Sequence, residues 1–235
     1  SMCGVNLAAH ALMNAGQSIR HIHGNADEPQ VRTAIKDALV GKLPEASSPK
    51  PITGELGSES DAQKALDWLR GKKIGAVGEA PIGFTPCVYD AKQIHSTFGL
   101  DIRQISIDDA FGRISEVKEE ARELAYANAV AAQPSLAAVN VEEAKKVYGV
   151  EVALDEWRKE EVLDAIAIRC WPEFPTDLGA CICSSLGRLS DRGTVTTCER
   201  DVLGAVTMMV CESLGSDENY LVDIVDLDAS QGLVR

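Results

Sequence analysis

The sequence has no stretch of about 18 or more apolar residues, which removes a membrane-spanning helix from consideration. Its start, Ser1-Met2-Cys3-Gly4, lacks the basic region and apolar stretch of a secretory signal. Basic residues are outnumbered, 23 Lys and Arg against 36 Asp and Glu, for a formal net charge of −13. A surface of that sign repels phosphate backbones and anionic lipid, so neither nucleic acid nor a membrane surface is an expected partner. The seven cysteines, Cys3, Cys87, Cys170, Cys181, Cys183, Cys198 and Cys211, have no framework spacing. Reduced thiols in a cytoplasmic protein are the simplest reading. A zinc site from Cys170, Cys181, Cys183 and Cys198 is the alternative, but Cys181-Ile182-Cys183 is C-x-C, not the C-x-x-C of zinc sites.

What is present is a globular composition, 45% hydrophobic and 25% charged, in a chain of 235 residues that can bury one large core or two smaller ones. Apolar spacing predicts helices over 5–15 and 28–40, with an extended piece at 18–23 between them. Residues 44–60 hold three prolines, two glycines and four serines and read as a linker. It separates 1–43, read as the tail of an N-terminal α/β domain, from a central α/β domain over 61–235. In the central part, helices are expected at 61–70, 88–97, 115–132, 140–148, 178–189 and 201–214. Strands are expected at 73–77, 101–107, 164–169, 193–197 and 220–227. Strands alternating with helices imply βαβ units and a doubly wound α/β fold, a mainly parallel sheet with flavodoxin- or Rossmann-like layers. In such sheets ligands bind beyond the carboxyl ends of the strands.

That rule selects a few residues. Gly75, Gly78 and Gly83 match neither G-x-G-x-x-G nor the P-loop, so a turn that needs glycine explains them better than a phosphate cradle. Trp171 and Glu173 follow the strand 164–169; an indole there packs in a core or lies flat beside a sugar ring. Glu199 follows the strand 193–197 and opens a helix. A carboxylate there is a metal or proton-transfer group, or an acid suited to the helix dipole, a reading that also covers Asp201. Asp223 interrupts an apolar run and is costly to bury unless paired or bound to a cation. Alternation puts Asp223 and Asp226 on opposite faces. Two carboxylates at neighbouring strand ends suit a hard divalent ion such as Mn²⁺ or Mg²⁺.

The segment Cys198-Glu199-Arg200-Asp201-Val202-Leu203-Gly204 through Met208 resembles the E-x-D-x-x-G-x-x-x-M segment of the L-fucose isomerase family, with L-arabinose isomerase more distant. Arg70 to Gly78 with Pro81 to Phe84, Phe98-Gly99-Leu100, and Ile168-Arg169-Cys170-Trp171-Pro172-Glu173 resemble further segments of the fucose-isomerase-like branch. The likeness runs in order over roughly 60–230. It implies a Mn²⁺-dependent aldose–ketose isomerase that moves a proton through an ene-diol, with Glu199 as the first metal-binding and catalytic acid. Asp223, 24 residues later, is then the second, preferred over Asp226. Trp171 and Glu173 would contact the sugar, and the full-length protein would be a homo-oligomer.

The family also uses a histidine from a C-terminal domain, whereas His10, His21, His23 and His95 all precede Asp223. Family members are longer at both ends. The chain is therefore expected to be a central fragment, without the closing C-terminal domain and inactive alone. A non-catalytic sugar-binding or regulatory α/β module, or another carbohydrate enzyme on the same scaffold, are the competing readings.

Overall fold

The structure is a computed structural model that describes residues 2–43, 57–217, 219–228 and 231–234. Two helices come first, α1 (Met2–Asn14) and α2 (Pro29–Leu39). Most of the expected linker, 44–56, lies outside the described residues. The next described element is α3 (Glu59–Leu69), where the Ser58 hydroxyl accepts from the Asp61 N–H and caps the first turn.

Among the described residues the central sheet has four strands, β1 (Lys73–Val77), β2 (Asp101–Ile105), β3 (Ala165–Ile168) and β4 (Val195–Thr197). All pair in parallel, in the order β2-β1-β3-β4. The fold is α/β with a doubly wound parallel sheet, and its topological switch falls between β1 and β3. Helices α4 (Ala91–Phe98) and α9 (Val202–Ser213) cover one face together with α3. Helices α5 (Ile107–Glu116), α7 (Val141–Glu161) and α8 (Cys183–Asp191) cover the other. Between α5 and α7 lies α6 (Glu119–Ala132), packed on α7 through Ala125, Ala129, Ala144 and Tyr148. Alternation along the strands divides the core. Val77, Ile166 and Ile168 face α5, α7 and α8, while Ile74, Ala76, Ala165, Ala167 and Val195 face α3, α4 and α9. Strands buried on both faces read as continuous apolar runs, which is why β1 and β3 stand out in the sequence.

Several expected elements differ. The helix expected at 115–132 is α6, which starts at Glu119, and a further helix that was not expected, α5, precedes it. Ser106 and Asp109 form a capping box that starts α5, and Val117 separates it from α6. The helix expected over 140–148 continues to Glu161. Its apolar pattern is interrupted by Glu151, which is buried and held by Arg188 (Nε–Oε2 2.8 Å) and by Arg192. The helix expected at 178–189 begins only at Cys183, after a π-helical turn over Phe174–Leu178.

The strand expected over 220–227 is not a fifth member of the sheet. Residues 221–226 are irregular, and only β5 (Leu227–Asp228) and β6 (Leu233–Val234) pair, antiparallel to each other. The apolar run invites the strand reading, but Val222, Ile224 and Val225 are all exposed, so no sheet face is buried by the alternation. Leu221 alone of that run packs on the core beside α9.

Gly75 serves packing. A Cβ there would stand 2.6 Å from Trp157 Cη2 and 2.6 Å from Leu163 Cδ1. Gly78 turns the chain out of β1 with φ 75° while its N–H donates to Ile105 O at 2.9 Å. Both glycines therefore have backbone and packing reasons, as a turn reading requires.

Candidate carboxylate site at the carboxyl end of the sheet

Strand β4 ends at Thr197, and the chain then makes a tight turn into α9. Glu199 and Arg200 are both left-handed, with φ 57° and 58°. Such a conformation costs an L-residue roughly 1–2 kcal/mol, so it persists only where the surroundings hold it. Here the Arg200 N–H donates to Ile168 O at 3.0 Å, tying the turn to the end of β3. The Glu199 N–H donates to Cys170 Sγ at 3.4 Å. Asp201 N–H donates to Cys198 O at 3.0 Å, and the Thr197 hydroxyl donates to Asp201 O at 2.8 Å.

The two acids of the turn divide the work. Asp201 is the helix cap, its carboxylate accepting from the Gly204 N–H at 2.8 Å. Glu199 makes no such cap, and its side chain lines a cavity instead. Asp201→Ala is expected to cost about 1 kcal/mol of stability in urea unfolding, the usual loss for a cap, whereas Glu199→Ala should remove no cap.

Arg200 is only 6% exposed and anchors the turn on the other side. Its Nη2 donates to Tyr89 Oη (3.1 Å) and Gln104 Oε1 (3.2 Å), and the guanidinium lies 4.8 Å from the Tyr89 ring centroid. Gln104 in turn donates to Gly78 O and Glu79 Oε1. The Arg200 backbone, its guanidinium and Gln104 thus join the carboxyl ends of β1, β2, β3 and β4.

The cavity beside Glu199 has a volume of about 380 Å³ and is lined by Asn6, Leu7, His10, Pro86, Cys87, Glu199, Asp201, Asp223 and Ile224. Asp223 reaches it from the irregular stretch after α9, not from a strand. Asp226 faces elsewhere, with His23 Nε2 3.5 Å from its Oδ1. Burial pushes the Glu199 carboxyl up from its ordinary 4.5 to about 7, and the charges of Asp223, Cys170 and Asp201 add to the effect. Burial also pushes the Cys87 thiol up to about 12, with Asp201 and Glu199 contributing. The cavity is therefore a region of negative potential.

The other expected residues lie apart from this cavity. Trp171 is 53% exposed, so it is not core, and it does not line the space around Glu199. Glu173 is engaged by Arg169, whose Nε donates to Oε2 at 2.9 Å. Cys170 and Cys198 are half-buried against each other, while Cys181 and Cys183 are exposed. Cys170 is held below the usual thiol range by the hydrogen bond from Cys198 and by the Glu199 N–H. Among the described residues, no three His, Cys, Asp or Glu side chains are gathered as a metal-holding group. Glu199 and Asp223 are two acceptor-only carboxylates, the chemistry that hard divalent cations take.

No family model matches the chain. It is 29% identical over 231 residues to the sulfoquinovose isomerase of Alkalicoccus urumqiensis, covering 97% of this chain and 47% of that protein. It is 27% identical over 244 residues to the sulfoquinovose isomerase of Priestia aryabhattai, covering 100% of this chain and 48% of the relative. The chain is similar to sulfoquinovose isomerases. A third protein of that name, from Clostridium sp. (strain MSTE9), is 29% identical over 170 residues, 71% of this chain and 37% of its own length. The chain spans about half the length of the curated relatives it matches. The alignment with the Priestia aryabhattai protein covers the whole chain and so includes the turn that carries Glu199.

Sequence reasoning missed Asn6, His10, Cys87 and Arg200 as neighbours of the site. His10 and Asn6 lie far from Glu199 in the chain and reach it only because α1 packs against the Thr85–Cys87 turn that follows β1. Nothing in the sequence marks that contact. Described residues include no helix long and apolar enough to cross a membrane.

Proposed function

We propose that this chain carries the carboxylate centre of an aldose–ketose isomerase acting on a sugar. The observation that carries the reading is Glu199, held in a strained turn at the carboxyl end of β4, facing Asp223 across a cavity and titrating near neutral pH. A carboxyl with a pKa of about 7 is suited both to take and to return a proton at physiological pH. Similarity to sulfoquinovose isomerases supports the reaction class and makes sulfoquinovose the first sugar to test.

In this reading the Glu199 carboxylate takes the proton from the carbon next to the sugar carbonyl, leaving an ene-diol. It returns that proton to the neighbouring carbon while a hydroxyl proton passes between the two oxygens. No redox partner is needed, because oxidation of one carbon balances reduction of the next. Glu199 and Asp223 would hold Mn²⁺, which supplies a Lewis acid that polarises the carbonyl. Burial first, and then the charge of Asp223, raises the Glu199 pKa, and a cation between the two carboxylates would offset both. The net charge of −13 suits a small-molecule partner better than nucleic acid or anionic lipid, and the reduced cysteines suit the cytoplasm.

Equilibrium titration with Mn²⁺ tests the metal assignment. Asp223→Ala should bind Mn²⁺ at least about tenfold more weakly, the equivalent of roughly 1.4 kcal/mol. Equal affinity in the two proteins would remove Asp223 from the site.

A further inference from the structure

Helix α1 forms the wall of the cavity that Glu199 and Asp223 do not. Asn6, Leu7 and His10 share one helix face and line the same space as the carboxylates. His10 is fixed there, since its Nδ1 lies 2.6 Å from the Thr85 hydroxyl, on the turn after β1. With Nδ1 engaged, Nε2 is the ring's remaining hydrogen-bonding atom, a donor or an acceptor according to the tautomer that Thr85 selects. Asn6 is exposed and lines the cavity, and its side chain makes no hydrogen bond with the described residues, so its amide offers two donors and an acceptor.

The two walls differ in chemistry. Glu199, Asp201 and Asp223 give an acceptor-only side when ionised. A polyol with its reacting end at the carboxylates also needs donors for the oxygen lone pairs of its other hydroxyls, and the carboxylate wall has none to give. Leu7, Pro86 and Ile224 supply apolar surface for the C–H faces of such a molecule. The volume falls in the range of small-molecule sites, roughly 300–1,000 Å³.

We propose that Asn6 and His10 bind sugar hydroxyls remote from the reacting carbons, making α1 the wall that selects among sugars. This rests on the carboxylate centre being a sugar site. The test is a titration of the chain with sulfoquinovose, D-glucose, L-fucose and L-arabinose in the presence of Mn²⁺. It is followed by calorimetry and, with diamagnetic Mg²⁺ in place of Mn²⁺, by the ring-nitrogen NMR signals of the four histidines. At least one sugar should bind and move the His10 signals, leaving those of His95 in place. Asn6→Ala and His10→Ala should each weaken that binding about 5- to 20-fold with Mn²⁺ affinity unchanged. Asn6→Ala guards against loss of the helix, because Asn6 tethers nothing. If the parent binds a sugar and both α1 variants bind it as tightly, the α1 wall is wrong and the carboxylate centre stands. If none of the four sugars binds the parent chain, both readings fall.

Discussion

Glu199→Gln is expected to lower aldose turnover by about 100- to 10,000-fold, the usual contribution of a positioned acid–base group, while sugar affinity changes far less. The measurement is made on a longer protein that contains this chain, since the chain alone is expected to be inactive. The same substitution should act in the opposite direction on stability. Below about pH 4.5 the carboxyl is neutral in the folded and the unfolded chain and costs nothing. Between there and about pH 7 the unfolded chain releases the proton while the folded chain keeps it, so stability falls as pH rises. Above about pH 7 the folded chain bears the whole cost of an ionised Glu199 beside Asp223. Because the side chain is only half-buried, solvent screening reduces that cost to about 1–2 kcal/mol. Glutamine removes it. Urea unfolding should therefore show Glu199→Gln more stable than the parent at pH 8 and equal to it at pH 4. A helix-capping acid would give the reverse, with the substitution destabilising at pH 8. An unchanged turnover together with a loss of stability would return Glu199 to the role that Asp201 fills.

The parts of this architecture readable from sequence are those whose cause is local. β1 and β3 are short apolar runs between turn signals, and the structure places them within a residue or two of the expected bounds. Position after a strand singled out Glu199, and that rule depends only on parallel topology. What sequence could not resolve depends on partners distant in the chain. Glu151 looks like a solvent-facing break in α7 until Arg188 and Arg192 of the α8 region close over it. Asp223 lies in an apolar run that resembles a strand, yet no fifth strand position receives it. The left-handed pair at Glu199 and Arg200 has no glycine to announce it, because hydrogen bonds to Ile168 and Cys170 hold the turn. His10 reaches the cavity through a contact with Thr85, 75 positions away. The Ser106–Asp109 capping box was readable, and it marks the start of α5, a helix absent from the expected elements.

The largest effect on folding should come from Trp157→Ala, at about 3–5 kcal/mol. Trp157 is 1% exposed and lies on the inner face of α7, over the middle of β1. The indole fits because position 75 has no side chain; a Cβ there would stand 2.6 Å from its ring. Removing the indole opens a hole that Leu163 and Ile166 cannot fill without moving β3, whose end carries Cys170 and, through Ile168, the Arg200 turn. Gly75→Ala should fail for the opposite reason, overpacking by about 1–3 kcal/mol. The two positions are in direct contact, so their effects should not add. In the double variant the new methyl enters space the indole has left, and its cost relative to the parent should be smaller than the sum of the two single losses. A double-mutant cycle in urea that came out additive would show that Trp157 and Gly75 are not one packing unit.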